Sequence, residues 1–220
     1  MCIRDRVCLS GGLDSTVSLL WAEKEYSSVE AVFFNYGQKA LEKERKASRY
    51  FAGLVGVSFS EIDLRFLGDV SGSALNNTDT LVPQGDSVDI KNAQTSKETA
   101  SAVWVPNRNG LFINVAASIA EAKKIDHIIL GFNLEEAQTF PDNSKKFIED
   151  TNKALESSTK GLVKVVSPTV DLKKVDIVKL GKKLDVNFQK LWPCYKNGDE
   201  ICGICESCKR YLSARRESVL

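Results

Sequence analysis

Val7-Cys8-Leu9-Ser10-Gly11-Gly12-Leu13-Asp14-Ser15 runs three apolar residues into a Ser/Gly loop that ends where a helix is expected to open, at Ser15. Two glycines let a backbone turn sharply and aim its N–H groups at an anion, and the start of a helix adds its positive dipole end. Hydroxyls at Ser10 and Ser15 supply further donors, so the stretch reads as a pyrophosphate cradle. Asp14 stands where a carboxylate holds a magnesium ion or a water against the same phosphates. The competing reading is an ordinary strand-to-helix turn, for which Gly-Gly and Ser are common residues.

Outward from this loop, helical and strand-like patterns alternate. Helical spacing over 15–26 is followed by a β-rich run at 29–34, an amphipathic helix over 39–55 and an alternating strand at 57–62. A long helix over 108–124 precedes a strand at 127–130, and helices at 147–155 and 175–184 flank a strand at 162–166. This order predicts an α/β fold, a doubly wound, mostly parallel sheet with ligands at the loops after the strands. Two parts are expected: an α/β domain over 1–190 that carries the phosphate cradle, and a small four-cysteine helical segment over 191–220. The stretch near 68–104 is rich in Ser, Asn, Thr, Asp and Gly, and reads either as a mobile flap over the site or as disorder. Three charged residues, Arg4-Asp5-Arg6, do not suit the start of a central strand. The expectation is therefore a short first strand or a natural terminus other than Met1.

The 220 residues are 43% hydrophobic and carry 30 Lys and Arg against 29 Asp and Glu, a formal charge of +1. Nothing in that balance forms a global basic field for nucleic acid, so small-molecule substrates fit better. With neither a membrane-length apolar run nor a signal-peptide core, a cytoplasmic protein is expected. Cys194, Cys202, Cys205 and Cys208 form C-x7-C-x2-C-x2-C. Four soft ligands with tight Cys-x2-Cys spacing select a closed structural zinc site, with an iron–sulfur cluster or a redox pair as chemical rivals. Cys8 reads as a buried strand residue, and Cys2 falls in the anomalous terminus. His127, the sole histidine, reads as packed, which leaves a carboxylate or the incoming amine to act as base.

Ser-Gly-Gly-x-Asp-Ser resembles the PP-loop of the ATP pyrophosphatase superfamily, whose members cleave ATP between the α and β phosphates. Further motifs narrow the likeness: Asn35-Tyr36-Gly37-Gln38, Val105-Pro106-Asn107-Arg108-Asn109, Lys174 with Asp176-Ile177-Val178, and Leu191-Trp192-Pro193-Cys194-Tyr195. With the four cysteines, and in this order, they resemble the 7-cyano-7-deazaguanine synthase family over nearly the whole chain from Val7. The resemblance implies a nitrile-forming, ATP-dependent carbon–nitrogen ligase of queuosine biosynthesis. It would act on 7-carboxy-7-deazaguanine and ammonia, with ATP, Mg2+ and Zn2+ bound, as a homodimer without nucleic acid or membrane partners.

It also implies roles. Leu9, Ser10, Gly11, Gly12, Leu13, Asp14, Ser15, Thr16 and Val17 would hold ATP. Asp14, Arg108 and Lys174 would carry the chemistry by neutralising phosphate charge, although Arg108 also suits a helix cap and Lys174 a solvated helix start. Tyr36, Gln38 and Asn109 would contact substrate, Asn109 having a plain helix-start role as its alternative. A guanine-like edge offers adjacent N–H donors, so Asp142 and one of Glu135 or Glu136 are candidates for base recognition, with Phe132 or Phe140 stacking on the ring. The competing reading makes Asp142 a helix N-cap and both glutamates solvated. The stretch Gln138-Thr139-Phe140-Pro141-Asp142-Asn143-Ser144 keeps Pro and Asp but lacks the family's commoner Cys-Arg. That departure leaves a related deazapurine or another acceptor amine open. A PP-loop tRNA-modifying enzyme and a non-catalytic nucleotide-binding module are the remaining alternatives.

Overall fold

The computed structural model describes residues 4–219, so Cys2 lies outside the described residues. Five parallel strands form one sheet in the order β3-β2-β1-β4-β5. They are β1 (Arg4–Cys8), β2 (Ser28–Asn35), β3 (Ser58–Asp63), β4 (His127–Ile129) and β5 (Lys164–Val166). The helices are α1 (Leu13–Glu25), α2 (Leu41–Leu54), α3 (Phe66–Val70), α4 (Ala93–Ala102), α5 (Arg108–Lys123), α6 (Lys145–Ser158), α7 (Lys174–Lys183) and α8 (Glu206–Glu217).

Alternation along the strands divides the core into two layers. Val32 and Phe34 of β2 and Ile128 of β4 face a layer closed by Ile113, Ala116 and Ala117 of α5 and by Ile148 and Leu155 of α6. Ala31, Val7 and Ile129 face the opposite layer, closed by α1, α2 and α7. Helix α8 joins the two, since Cys208 packs in the first layer and Tyr211 and Ala214 in the second.

The charged run at the start of the chain is a central strand after all. Asp5 and Arg6 are each 1% exposed, and each has found a partner on a neighbouring strand. His127 Nδ1 lies 2.7 Å from Asp5 Oδ1, and Arg6 pairs with Glu30, which Lys123 also reaches. Buried charges are tolerated when paired in this way. His127 is thus packed at the strand's start, away from the loop edge.

The segment near 68–104 carries α3 and α4, and it buries Ala74, Leu75, Val82, Val88, Ala100 and Val103. Asn92 opens α4 by accepting from the N–H groups of Gln94 and Thr95. The segment also clasps the C-terminal cysteines. Gln84 bridges Cys205, Gly85 N–H donates to Ile204, and Lys209 Nζ donates to the carbonyls of Gly85 and Val88 at 2.7 Å.

The chain runs from β1 outward to β3, then returns to the other side of β1 for β4 and β5. The loops after β1 and β4 therefore part at the point where the strand order reverses, which is where open parallel sheets bind ligands.

Candidate active site

Gly11 has φ +75°, and a Cβ there would stand 2.7 Å from Ala47 Cβ on α2. Only glycine lets the loop lie this close to α2. Helix α1 begins two residues earlier than the sequence pattern predicts, so Asp14 and Ser15 sit in its first turn. Gly12 stands at its N-cap without a side-chain cap, and Ser15 Oγ instead accepts from Ser10 N–H at 3.1 Å and lies 3.0 Å from Ser10 Oγ. First-turn N–H groups and two linked hydroxyls converge at one end of the sheet, as anion binding requires.

The loop after β4 meets this turn head on. A Cβ at Gly131 would stand 2.5 Å from Ser15 N, so the two backbones are in contact there. Beyond it, fully buried Asn133 donates to Asp14 Oδ2 at 3.4 Å and accepts from the N–H groups of Glu135 and Glu136. Lys174, at the start of α7, donates from Nζ to Asp14 Oδ2 at 2.7 Å and to Glu136 Oε1 at 2.5 Å. Its backbone N–H donates to Glu135 Oε1 at 2.8 Å.

Burial pushes Asp14 up to about 6 against the pull of Lys174, with Glu136 adding to the rise. Burial alone would also lift Glu136, but Lys174 holds it below the ordinary glutamate value. Lys174 is raised despite its burial, because both carboxylates face it. It is a buried, fully protonated cation between two acids, and Asp14 Oδ1 is buried with no hydrogen-bond partner.

Asp14, Glu136 and Lys174 line a cavity of about 270 Å³. The loops after β2 and before α5 also contribute to its wall. Arg108 Nη1 donates to Tyr36 Oη at 3.3 Å, and the guanidinium lies 5.4 Å from the ring centre. Tyr36 and Asp142 hold Arg108 protonated above its ordinary value although burial opposes the charge. Burial in turn lifts the Tyr36 hydroxyl to about 12. Gln38 is held by Phe34 O and Tyr36 N–H, and donates to Glu44 Oε2 at 3.0 Å. Burial pushes Glu44 up to about 7, opposed by the Gln38 bond and Arg108.

Most of the residues expected at the site share this cavity. Leu9, Ser10, Gly12, Leu13, Asp14 and Ser15 line it from the first loop, and Tyr36, Gln38, Arg108 and Asn109 from the loop after β2 and the start of α5. Phe132, Glu136, Phe140 and Lys174 complete that set, with Phe140 stacked on Trp104 at 6.3 Å. Gly11, Thr16, Val17, Glu135 and Asp142 are not part of the wall. Thr16 and Val17 are fully buried on the core side of α1, and Glu135 caps α7 through the Lys174 N–H. Asp142 lies in a short 3-10 turn over Pro141–Asn143, raised by burial against Arg108, and its backbone carbonyl accepts from Asn109 Nδ2 at 3.5 Å. The N-cap of α6 is Ser144.

Sequence reasoning assigned no role to Glu44, Trp192, Tyr195, Glu206 or Arg210, all of which line the cavity. Glu206 and Arg210 had a signal, the i,i+4 spacing of an acid inside the cysteine pattern and a base just after it.

The four cysteines do converge. All four Sγ atoms lie within 4.8 Å of one another, and backbone N–H groups of Lys196, Cys202 and Cys205 point at the sulfurs. Cys205 is also the N-cap of α8, which ties the cluster to the cavity wall. This is a candidate metal centre. Among the described residues no helix is long and apolar enough to cross a membrane.

A parallel sheet that feeds a Ser-Gly-Gly loop into a helix start, with a buried Asp–Lys–Glu cluster beside it, defines a nucleotide-binding protein of the PP-loop class. Residues 5–218 match the profile of the family described as queuosine biosynthesis protein QueC. A 7-cyano-7-deazaguanine synthase of Bdellovibrio bacteriovorus is 49% identical over 205 residues, 93% of this chain and 89% of that protein. The synthase of Carboxydothermus hydrogenoformans is 46% identical over 209 residues, 95% of this chain and 96% of that one. The chain belongs to the QueC family, the 7-cyano-7-deazaguanine synthases. Among solved structures, the U34-tRNA thiolase NcsA of Methanococcus maripaludis, with its 4Fe-4S cluster, is similar in fold. Its TM-score is 0.51 at 18% identity, over 99% of this chain and 64% of that one.

Proposed function

We propose that this chain is an ATP-dependent ligase that converts 7-carboxy-7-deazaguanine and ammonia into 7-cyano-7-deazaguanine, the queuosine precursor preQ0. The substrate carboxylate attacks the α-phosphorus of ATP and expels pyrophosphate. The lone pair of ammonia then attacks the acyl carbon, AMP leaves and a proton is lost, giving the amide. The amide oxygen then attacks the α-phosphorus of a second ATP and expels a second pyrophosphate, and loss of AMP and two protons leaves the nitrile.

Both activations place negative charge at the same end of the cavity. The observation that carries the reading is the buried Lys174 held between Asp14 and Glu136 at the first turn of α1. There the N–H groups of the Ser10–Ser15 turn would hold phosphates while Lys174 and Arg108 spread the charge that develops on the departing pyrophosphate. Asp14 Oδ1, buried and unpartnered, fits a cation ligand. A magnesium ion bound there would neutralise phosphate oxygens. The carboxylates and phenols of the site leave no histidine to serve as base, so the proton from ammonia passes to a carboxylate or to water.

The cysteine set fits a single tetrahedral ion. Zinc–sulfur bonds of about 2.3 Å imply sulfur–sulfur edges of about 3.8 Å. The sulfurs here lie within 4.8 Å of one another, closer than thiolates that each bind a separate corner of a cluster. With four protein ligands such a zinc would be structural, fastening α8 and the 68–104 segment together. The resemblance adds a cytoplasmic homodimer to the reading. Exchange of labelled pyrophosphate into ATP, measured with 7-carboxy-7-deazaguanine but no ammonia, tests the first activation. Exchange that depends on the acid is expected, and its absence would contradict the proposal.

A further inference from the structure

Four carboxylates line the cavity: Asp14, Glu44, Glu136 and Glu206. Three of them are fastened to cations. Asp14 and Glu136 both accept from Lys174 Nζ, and Glu206 Oε1 accepts from Arg210 Nε at 3.0 Å and Nη2 at 2.8 Å. Glu44, on α2, is the exception. Its Oε2 accepts a single hydrogen bond, from the neutral amide of Gln38 at 3.0 Å, and among the described residues its Oε1 accepts none. That amide is itself fixed, because Gln38 also donates to Phe34 O and accepts from Tyr36 N–H. Unlike Asp14 Oδ1, the free oxygen of Glu44 is not sealed inside the protein.

Glu44 also stands beside the phosphate cradle. A Cβ on Gly11 would lie 2.9 Å from the Glu44 carbonyl oxygen, so α2 packs on the Ser10–Ser15 loop at this residue. An acyl-adenylate held there by its phosphate carries its acyl carbon one bridging oxygen away from phosphorus, which keeps that carbon near the loop. Neighbouring elements act on Glu44 in both directions. Burial pushes its carboxyl up to about 7, the Gln38 bond and Arg108 of α5 oppose the rise, and the Cys194 thiolate adds to it. Glu44 in turn helps to raise the Tyr36 hydroxyl.

We infer that Glu44 is the general base of the amide-forming step. As the lone pair of ammonia forms the C–N bond and the C–O bond to AMP breaks, the nitrogen sheds one proton. The Glu44 carboxylate accepts that proton and becomes the neutral acid, which returns it to solvent before the next turnover. Protonating any of the other three carboxylates would weaken a buried ion pair with Lys174 or Arg210, whereas protonating Glu44 breaks none. An acid poised near neutral pH both takes a proton and gives it up readily.

This role for Glu44 rests on the proposed synthase reaction, and the experiment separates the two. Two measurements are made on the metal-loaded chain: exchange of labelled pyrophosphate into ATP with 7-carboxy-7-deazaguanine and no ammonium, and formation of amide plus nitrile once ammonium is added. Glu44→Gln keeps the size of the side chain and an oxygen for Gln38, but takes up no proton. It should leave the exchange within about 3-fold of wild type and slow amide formation by about 100-fold or more, the usual worth of a positioned base. Formate added to Glu44→Ala should restore part of the lost rate, which a role confined to holding Gln38 would not allow. If Glu44→Gln fails to fold, Glu44→Asp keeps the charge but draws the carboxylate back by one methylene, and should slow amide formation about 10-fold or more while sparing exchange. Amide formation at the wild-type rate in Glu44→Gln, exchange lost in step with it in a folded variant, or no rescue by formate would overturn the inference. Wild type that exchanges pyrophosphate without the acid, or not at all, would instead overturn the functional reading beneath it.

Discussion

Replacing Asp14 with Asn should stabilise the protein at neutral pH while abolishing turnover. Asp14 is held ionised against its surroundings: burial raises it from 3.8 to about 6, even with Lys174 at 2.7 Å. A group whose folded value is raised favours the fold fully below its unfolded value, and that contribution is lost as pH rises through the folded value. At about 1.36 kcal/mol per unit, the ionised carboxylate costs about 3 kcal/mol at pH 7 and roughly half of that at pH 5. The side chain is 14% exposed, so screening reduces this only modestly, whereas coupling to Glu136 makes about 1–3 kcal/mol the working range. Asn is neutral and keeps the Asn133 contact within reach, so Asp14→Asn should gain that amount at pH 7 and less at pH 5. Urea unfolding of both proteins at the two pH values measures the difference. An Asn variant that is less stable, equally at both pH values, would refute the reasoning and make Asp14 a structural partner of Lys174.

Other outcomes follow from the same geometry. Gly11→Ala combines a left-handed backbone with a 2.7 Å approach to Ala47 and should cost about 2–4 kcal/mol, read as a fall in melting temperature. Rates of pyrophosphate release should fall about tenfold per pH unit below about pH 6, as Asp14 takes up a proton and its negative charge is lost. A profile flat down to pH 5 would exclude Asp14 from the chemistry. Cys205→Ser should abolish metal binding at the candidate cysteine centre and lower the melting temperature by about 10 °C or more, given about 2–4 °C per kcal/mol at this size. Metal analysis and calorimetry on one preparation check both.

Local patterns carried the alternation of strands and helices, the opening loop and the cysteine cluster, because each is written in consecutive residues. The start of β1 misled for the opposite reason. Arg4-Asp5-Arg6 looks unfit for a sheet centre until His127, 122 residues from Asp5, and Glu30 are beside it. Helix α4 was hidden because its buried positions include Ser96, Thr99 and Ala100, small residues that give no apolar stripe. Its Asn92 cap was the one local clue. Thr16 and Val17 follow the loop in sequence, but helical rotation turns them into the core within one turn. At the site, residue types were legible and their commitments were not. Glu135 and Glu136 are adjacent in sequence, yet one caps a helix and the other pairs with Lys174. Glu206 reaches the cavity only through the packing of the cysteine segment against α4.

The most direct test of the account is mass-spectrometric analysis of products after the purified protein is incubated with ATP, magnesium, ammonium and 7-carboxy-7-deazaguanine. Appearance of 7-cyano-7-deazaguanine together with AMP and pyrophosphate, two ATP consumed per nitrile, is the result predicted. Unchanged acid with no cleavage of ATP to AMP would contradict it.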